Sequence, residues 1–131
     1  LRVQIESRVL GDIAGNHVVP TAVKYQNMLI DNVSGLKEIF GKDFKTHANE
    51  QIKLIKKISE HIEAIHFKVD NMINERKKAN KITDATKKAE AYCSKVKPFF
   101  EEIRYHCDKL ELMVDDELWP LTKYRELLFT R

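Results

Sequence analysis

An all-α fold, an antiparallel bundle of three long helices plus a short C-terminal helix, is what this sequence predicts. Three observations carry that expectation. Apolar residues recur every three or four positions over long stretches, the signature of helices that bury one seam. Only four glycines and three prolines punctuate 131 residues, too few for a turn-rich β fold. The linker between the two clearest helices, "ANKITDATKK", leaves room only for a tight reversal, which makes a helical hairpin. The predicted helices span about 2–40, 44–80, 84–114 and 122–129, in a single domain covering 1–131.

The first helix has a usable apolar face in its second half, at Ala22, Tyr25, Leu29, Val33, Leu36 and Phe40. Its first half is less regular. Gly11 and Gly15 each cost about 1 kcal/mol against alanine in a helix interior, and Pro20 removes a hydrogen bond and is expected to bend or break the rod. Gly41 fits the stop position, and Asp43 opens the second helix. There Ile55, Ile58, Ile62, Ile65, Val69 and Met72 follow one another by three and four, a sustained heptad seam. Thr83 or Asp84 can accept the first backbone N–H groups of the third helix. Its seam reads Ala89, Tyr92, Val96, Phe99, Ile103, His106, Leu110 and Met113. A second line, Cys93, Phe100, Cys107 and Val114, predicts two neighbours for this helix. The heptad phase survives Pro98, so a kink is expected there and not a break.

A chain of this length can bury a core without disulfides or metals. Cys93 and Cys107 are the only cysteines; fourteen helical residues hold them about 21 Å apart, too far to bridge. They read as small buried hydrophobes. Hydrophobic content of 43% beside 33% charged residues excludes a membrane span and fits a soluble protein. The net charge of +3 is too small to argue for nucleic acid. Basic residues gather from Arg76 to Lys97 and acidic ones from Glu101 to Glu117, against the preference of the helix macrodipole. Lysines 42, 45, 53, 56 and 57 on the antiparallel second helix would offset the acidic end. "LRVQIESRVL" has no signal-peptide layout and no initiating Met. It begins inside a helical pattern, which predicts a piece of a longer chain, and the cysteine usage agrees with a reducing compartment.

No catalytic arrangement emerges: there is no Gly-rich phosphate loop and no G-x-S-x-G, and neither cysteine has a histidine and an acid at a catalytic spacing. Glu63, His66 and Asp70 share a helix face, which reads as a solvated surface and not as a metal site. His106 lies on a seam, with Glu102 one turn earlier. It is expected to be half-buried and bonded to a neighbour, with a pH-responsive contact as the sharper reading.

The closing "WPLTKYRELLF" is unusually apolar for a chain end. Pro120 stops the preceding helix and Thr122 can cap a short one. Seven or eight residues do not hold a helix alone in water, so Trp119, Leu121, Tyr124, Leu127, Leu128 and Phe129 form the candidate docking face. Docking back on the bundle is the favoured expectation.

Two stretches, "IESRVLGDIAGNHVVPTAVKYQNML" and "ELWPLTKYRELLF", resemble the C-terminal region of type III glutamine synthetases. "ERKKAN" and "AYCSKVKPFFEEIRYHCDKLE" between them fit as well. Thr122 stands where the family commonly has a second proline, and Gly11 and Gly15 are further departures. The resemblance implies a parent enzyme that joins ammonia to L-glutamate using ATP and Mg²⁺ or Mn²⁺, bound in a catalytic domain upstream. It implies no catalytic, cofactor-binding or metal-binding position in this chain. The implied partners are the catalytic domain of the same chain and further copies of the parent in a homo-oligomer, with neither nucleic acid nor membrane. The expected function is a noncatalytic domain serving packing, assembly or regulation. The alternative, from the seams alone, is a stand-alone coiled-coil interaction module.

Overall fold

A computed structural model describes residues 2–114. The elements are α1 (Arg2–Ile13), a first π turn (Ala14–Val18), α2 (Val19–Phe40), a 3-10 turn (Gly41–Asp43), α3 (Phe44–Asn80), α4 (Ala85–Ala91), a second π turn (Tyr92–Val96) and α5 (Pro98–Met113). Among the described residues the fold is helical throughout, without strands.

The expected count of three long helices and a short fourth needs correction. Helical bonding runs on from Arg2 to Asn80 and resumes at Ala85, so the chain forms two helical stretches separated by residues 81–84. The reversal expected before Phe44 is made inside the first stretch, by the tight turn Gly41–Asp43. Gly41 sits there at φ 58° and ψ −124°, a region L side chains avoid. Asp43 precedes α3 without a side-chain capping bond. Asp84, in contrast, accepts from the Thr86 N–H at 3.1 Å and caps α4. The predicted helix at 122–129 lies outside the described residues.

Both prolines among the described residues, Pro20 and Pro98, are absorbed in the same way. The Val19 N–H bonds back to the Ala14 carbonyl and the Lys97 N–H to the Tyr92 carbonyl at 2.9 Å, each an i to i−5 bond donated by the residue before proline. Proline lacks a donor and its ring crowds the carbonyl four residues back; widening one turn relieves both problems without ending the helix. The helix therefore does not break at Pro20 but passes it through a π turn. The extra residue also rotates whatever precedes it by about 100°. Ala89 and Cys93, expected on buried seams, are exposed, whereas Tyr92 and Val96 within the turn and Phe100 and Ile103 beyond it are buried.

α2 and the first half of α3 run antiparallel. The Gln26 amide nitrogen donates to the Ile55 carbonyl at 2.9 Å and contacts Ser59 Oγ at 2.7 Å, and Gln51 donates to Asn32 at 3.0 Å. α3 and α5 are antiparallel as well, tied by Lys68–Glu102 at 3.6 Å and, beyond α4, by Tyr92 and Asn80. α1 lies beside the far half of α3, where a side chain on Gly11 would touch Met72 and Val69. It also flanks the second π turn and α5, where Glu6 neighbours Phe100 and Arg104. The core follows from this packing: Ile58, Ile65, Met72, Val96, Ile103 and Leu110 are all fully buried. Ser7 and Thr21, the buried polar residues among those described, donate to the carbonyls of Gln4 and His17, each at 2.8 Å, so neither hydroxyl is left unsatisfied.

Candidate interaction surface

The two halves of α3 have different surroundings. From Ile58 onward the helix meets α1 on one side and α5 on the other. Toward Phe44 it is paired chiefly with α2, and the two form an arm. Buried residues of α2 stop at Ala22, and on the α3 side of the arm only Ala48 is buried. Large apolar side chains stay in solvent along it: Met28, Ile30, Phe40, Ile52, and Ile39 at 75% exposure. Phe40 is partly occupied by His47, whose ring stacks on it at 3.9 Å.

At the root of the arm lies a groove of about 380 Å³ whose floor is Tyr25, Leu29 and Leu54 and whose rim carries Glu50, Lys53 and Lys57. These three floor residues are half-buried and pack against the main core. Chemically the groove is an apolar slot edged by charge. It suits a short apolar segment with polar flanks better than a small polar substrate.

A second feature joins α3 to α5. His61 Nδ1 and His106 Nδ1 lie 2.9 Å apart, with Tyr105 edge-on to both rings. One Nδ1 must carry the proton and the other accept it, since two protonated nitrogens at that distance would repel. Burial lowers the pKa of both imidazoles below the usual 6.5. On His61, Glu60 opposes this while Lys109 and Lys57 reinforce it. On His106, His61 and Lys68 reinforce it and Glu102 opposes. The half-buried, bonded histidine expected at position 106 is what the structure places there. Its partner was not legible, because His61 pairs across the helix interface and a sequence does not state interhelical register.

The remaining sequence candidates separate cleanly. Glu63, His66 and Asp70 lie exposed on α3. Among the described residues no three His, Cys, Asp or Glu side chains come together to hold a metal ion. No described helix is long and apolar enough to cross a membrane. Cys107 is half-buried, and burial, with Asp108 nearby, pushes its thiol up to about 11. Cys93 is exposed, a correction to the buried role expected of it. Trp119, Leu121, Tyr124, Leu127, Leu128 and Phe129 lie outside the described residues. The sequence reading missed the groove, although Tyr25 and Leu29 were on the apolar face it identified.

Comparison with known proteins gives this surface a context. The family described as glutamine synthetase C-terminal domain matches residues 1–37. A glutamine synthetase of Bacteroides fragilis is 50% identical over 132 residues, covering the whole of this chain and 18% of the relative. A type-3 glutamine synthetase of Dictyostelium discoideum is 24% identical over 131 residues, covering 98% of this chain and again 18% of the relative. The chain thus spans under a fifth of the length of these relatives, and the resemblance read from its two end stretches extends along all of it.

Proposed function

We propose, from the premise that this chain carries the C-terminal sequence of a glutamine synthetase, that it is a noncatalytic helical domain of that ligase. The observation that carries the reading is the 50% identity to the Bacteroides fragilis enzyme across the full chain. The parent reaction is the ATP-dependent joining of ammonia to L-glutamate, in a cytoplasmic homo-oligomer. The ATP and the Mg²⁺ or Mn²⁺ that accompanies it are assigned outside this region. In this reading both belong to the catalytic domain of the same chain, and the helical region contributes packing and assembly. Its chemistry supports that role: a closed core at one end, and at the other an arm with apolar side chains left in solvent.

Two measurements test this. The 131-residue chain alone is expected to show no γ-glutamyl transfer; measurable turnover overturns the noncatalytic reading. Replacing this region in the intact enzyme by a short linker is expected to reduce the sedimenting particle to smaller species. An unchanged particle of unchanged activity overturns the assembly role. The exposed apolar arm favours one second reading, an interaction module that binds partner helices. Light scattering on the isolated chain separates the two, since a self-contained domain stays monomeric at micromolar concentration.

A further inference from the structure

His61 and His106 make a contact whose chemistry goes beyond packing. One imidazole comes from α3 and the other from α5, with Nδ1 atoms 2.9 Å apart and ring centroids at 5.1 Å. The core fixes both helices on either side of the pair: Ile58, Ile62 and Ile65 on α3 and Ile103 and Leu110 on α5 are all buried. Two nitrogen donors are thus held close together by two separate, well-packed elements, which is what a chelating site requires of its scaffold.

We propose that His61 and His106 form a two-histidine site for a tetragonal divalent transition ion, Ni(II) or Cu(II), with solvent in the remaining positions. This does not depend on the ligase reading. The separation selects the geometry. With metal–nitrogen bonds of about 2.0–2.1 Å, donors at 90° stand about 2.9 Å apart and donors at a tetrahedral centre about 3.3–3.4 Å. The observed 2.9 Å fits the right-angled arrangement, which Ni(II) and Cu(II) adopt with nitrogen and oxygen donors. Imidazole also suits these ions better than the hard cations that prefer carboxylates.

Protons and charge balance. Without metal, one Nδ1–H donates to the other Nδ1. On binding, the donor ring moves its hydrogen to Nε2, so both rings stay neutral and no proton is released. The helices keep their spacing, and the rings turn until the two lone pairs converge beside the line that joins them. Burial holds both imidazoles below the usual 6.5, so protons do not compete for the nitrogens at neutral pH. The charges around the pair are Lys57, Lys68 and Lys109 against Glu60 and Glu102. Lys68 is paired with Glu102 at 3.6 Å and Lys109 lies over the Tyr105 ring at 5.4 Å, so two of the three ammonium groups are already engaged.

The test titrates the full 131-residue chain at neutral pH with nickel or copper chloride in a non-coordinating buffer. Calorimetry is expected to show one tight ion per chain. Ni(II) at a hundred times its dissociation constant should shift the folding equilibrium about a hundredfold toward the native state. Frozen Cu(II) samples should show superhyperfine splitting from two nitrogens. In the isotopically labelled, unaltered chain, Ni(II) should first broaden the amide signals around residues 61 and 106, a readout that needs no variant to fold. His61→Gln and His106→Gln should each remove the stabilisation, whereas His66→Gln, exposed on α3, should retain it. Broadening centred on His17, His47 or His66 would mark an adventitious ion only and overturn the proposal. A one-nitrogen spectrum, or stabilisation that survives His61→Gln, overturns it as well. Zn(II) stabilising the chain more than Ni(II) would overturn the right-angled geometry.

Discussion

The far half of α3 and its near half carry similar apolar periodicity but differ in burial. From Ile58 to Ala79 the helix sits between α1 and α5, and Ile58, Ile65 and Met72 lose all their exposure. Toward Phe44 it is paired chiefly with α2, and Ile52 stays exposed while Leu54 and Ile55 are half-buried. The apolar pattern selects the face a helix turns inward. The number of neighbours decides how much of that face leaves water, and stability follows the buried area.

That contrast is sharpest in a pair of truncations. Ile65→Ala in the body should destabilise by about 2–5 kcal/mol, because it removes buried methyls and leaves a cavity. Val33→Ala on the half-exposed arm should cost under about 1 kcal/mol, since less area returns to water. Urea unfolding of both variants checks this, and equal losses would dissolve the distinction between body and arm. Next in size is the tip of the arm. Gly41→Ala forces a side chain into a positive-φ conformation and should cost about 1–3 kcal/mol. Gly35→Ala, with nothing near its added carbon, should stabilise the arm by about 0.4–1 kcal/mol. Thermal melts of the two should move in opposite directions.

On the body side, Asp84→Ala deletes the cap of α4 and should cost about 1 kcal/mol, with faster hydrogen exchange at Thr86 as its local sign. The smallest effect is that of pH. His61 and His106 have folded pKa values below 6.5, so the unfolded chain binds more protons in the window beneath 6.5. Stability should therefore fall as pH drops through 6.5 and level off once the folded imidazoles also protonate. His106→Gln should flatten that slope in melts recorded from pH 7.5 to pH 5, while slopes that stay parallel would remove the pair from any pH response.

Much of the body was readable in advance, for local reasons. The isoleucine seam of α3, the cap at Asp84 and the stop at Gly41 each depend on a few neighbouring residues. The π turns were not readable, because proline announces a missing donor without saying whether the helix breaks, bends or widens around it. Around the second π turn Ala89 and Cys93 face solvent while Tyr92 between them stays buried. The reversal at Gly41–Asp43 is so tight that two expected helices join into one stretch. The groove and the His61–His106 pair arise from register between helices, and residue spacing along one helix does not encode that.

The two thiols offer a practical consequence. Cys93 stands in solvent on the widened turn, whereas Cys107 is half-buried with its pKa raised to about 11, leaving it almost without thiolate at neutral pH. A maleimide dye added to the native protein should therefore attach at Cys93 alone, in one-to-one stoichiometry. The unaltered polypeptide thus carries its own single labelling point, beside Pro98, from which distances to any other site could be measured by energy transfer.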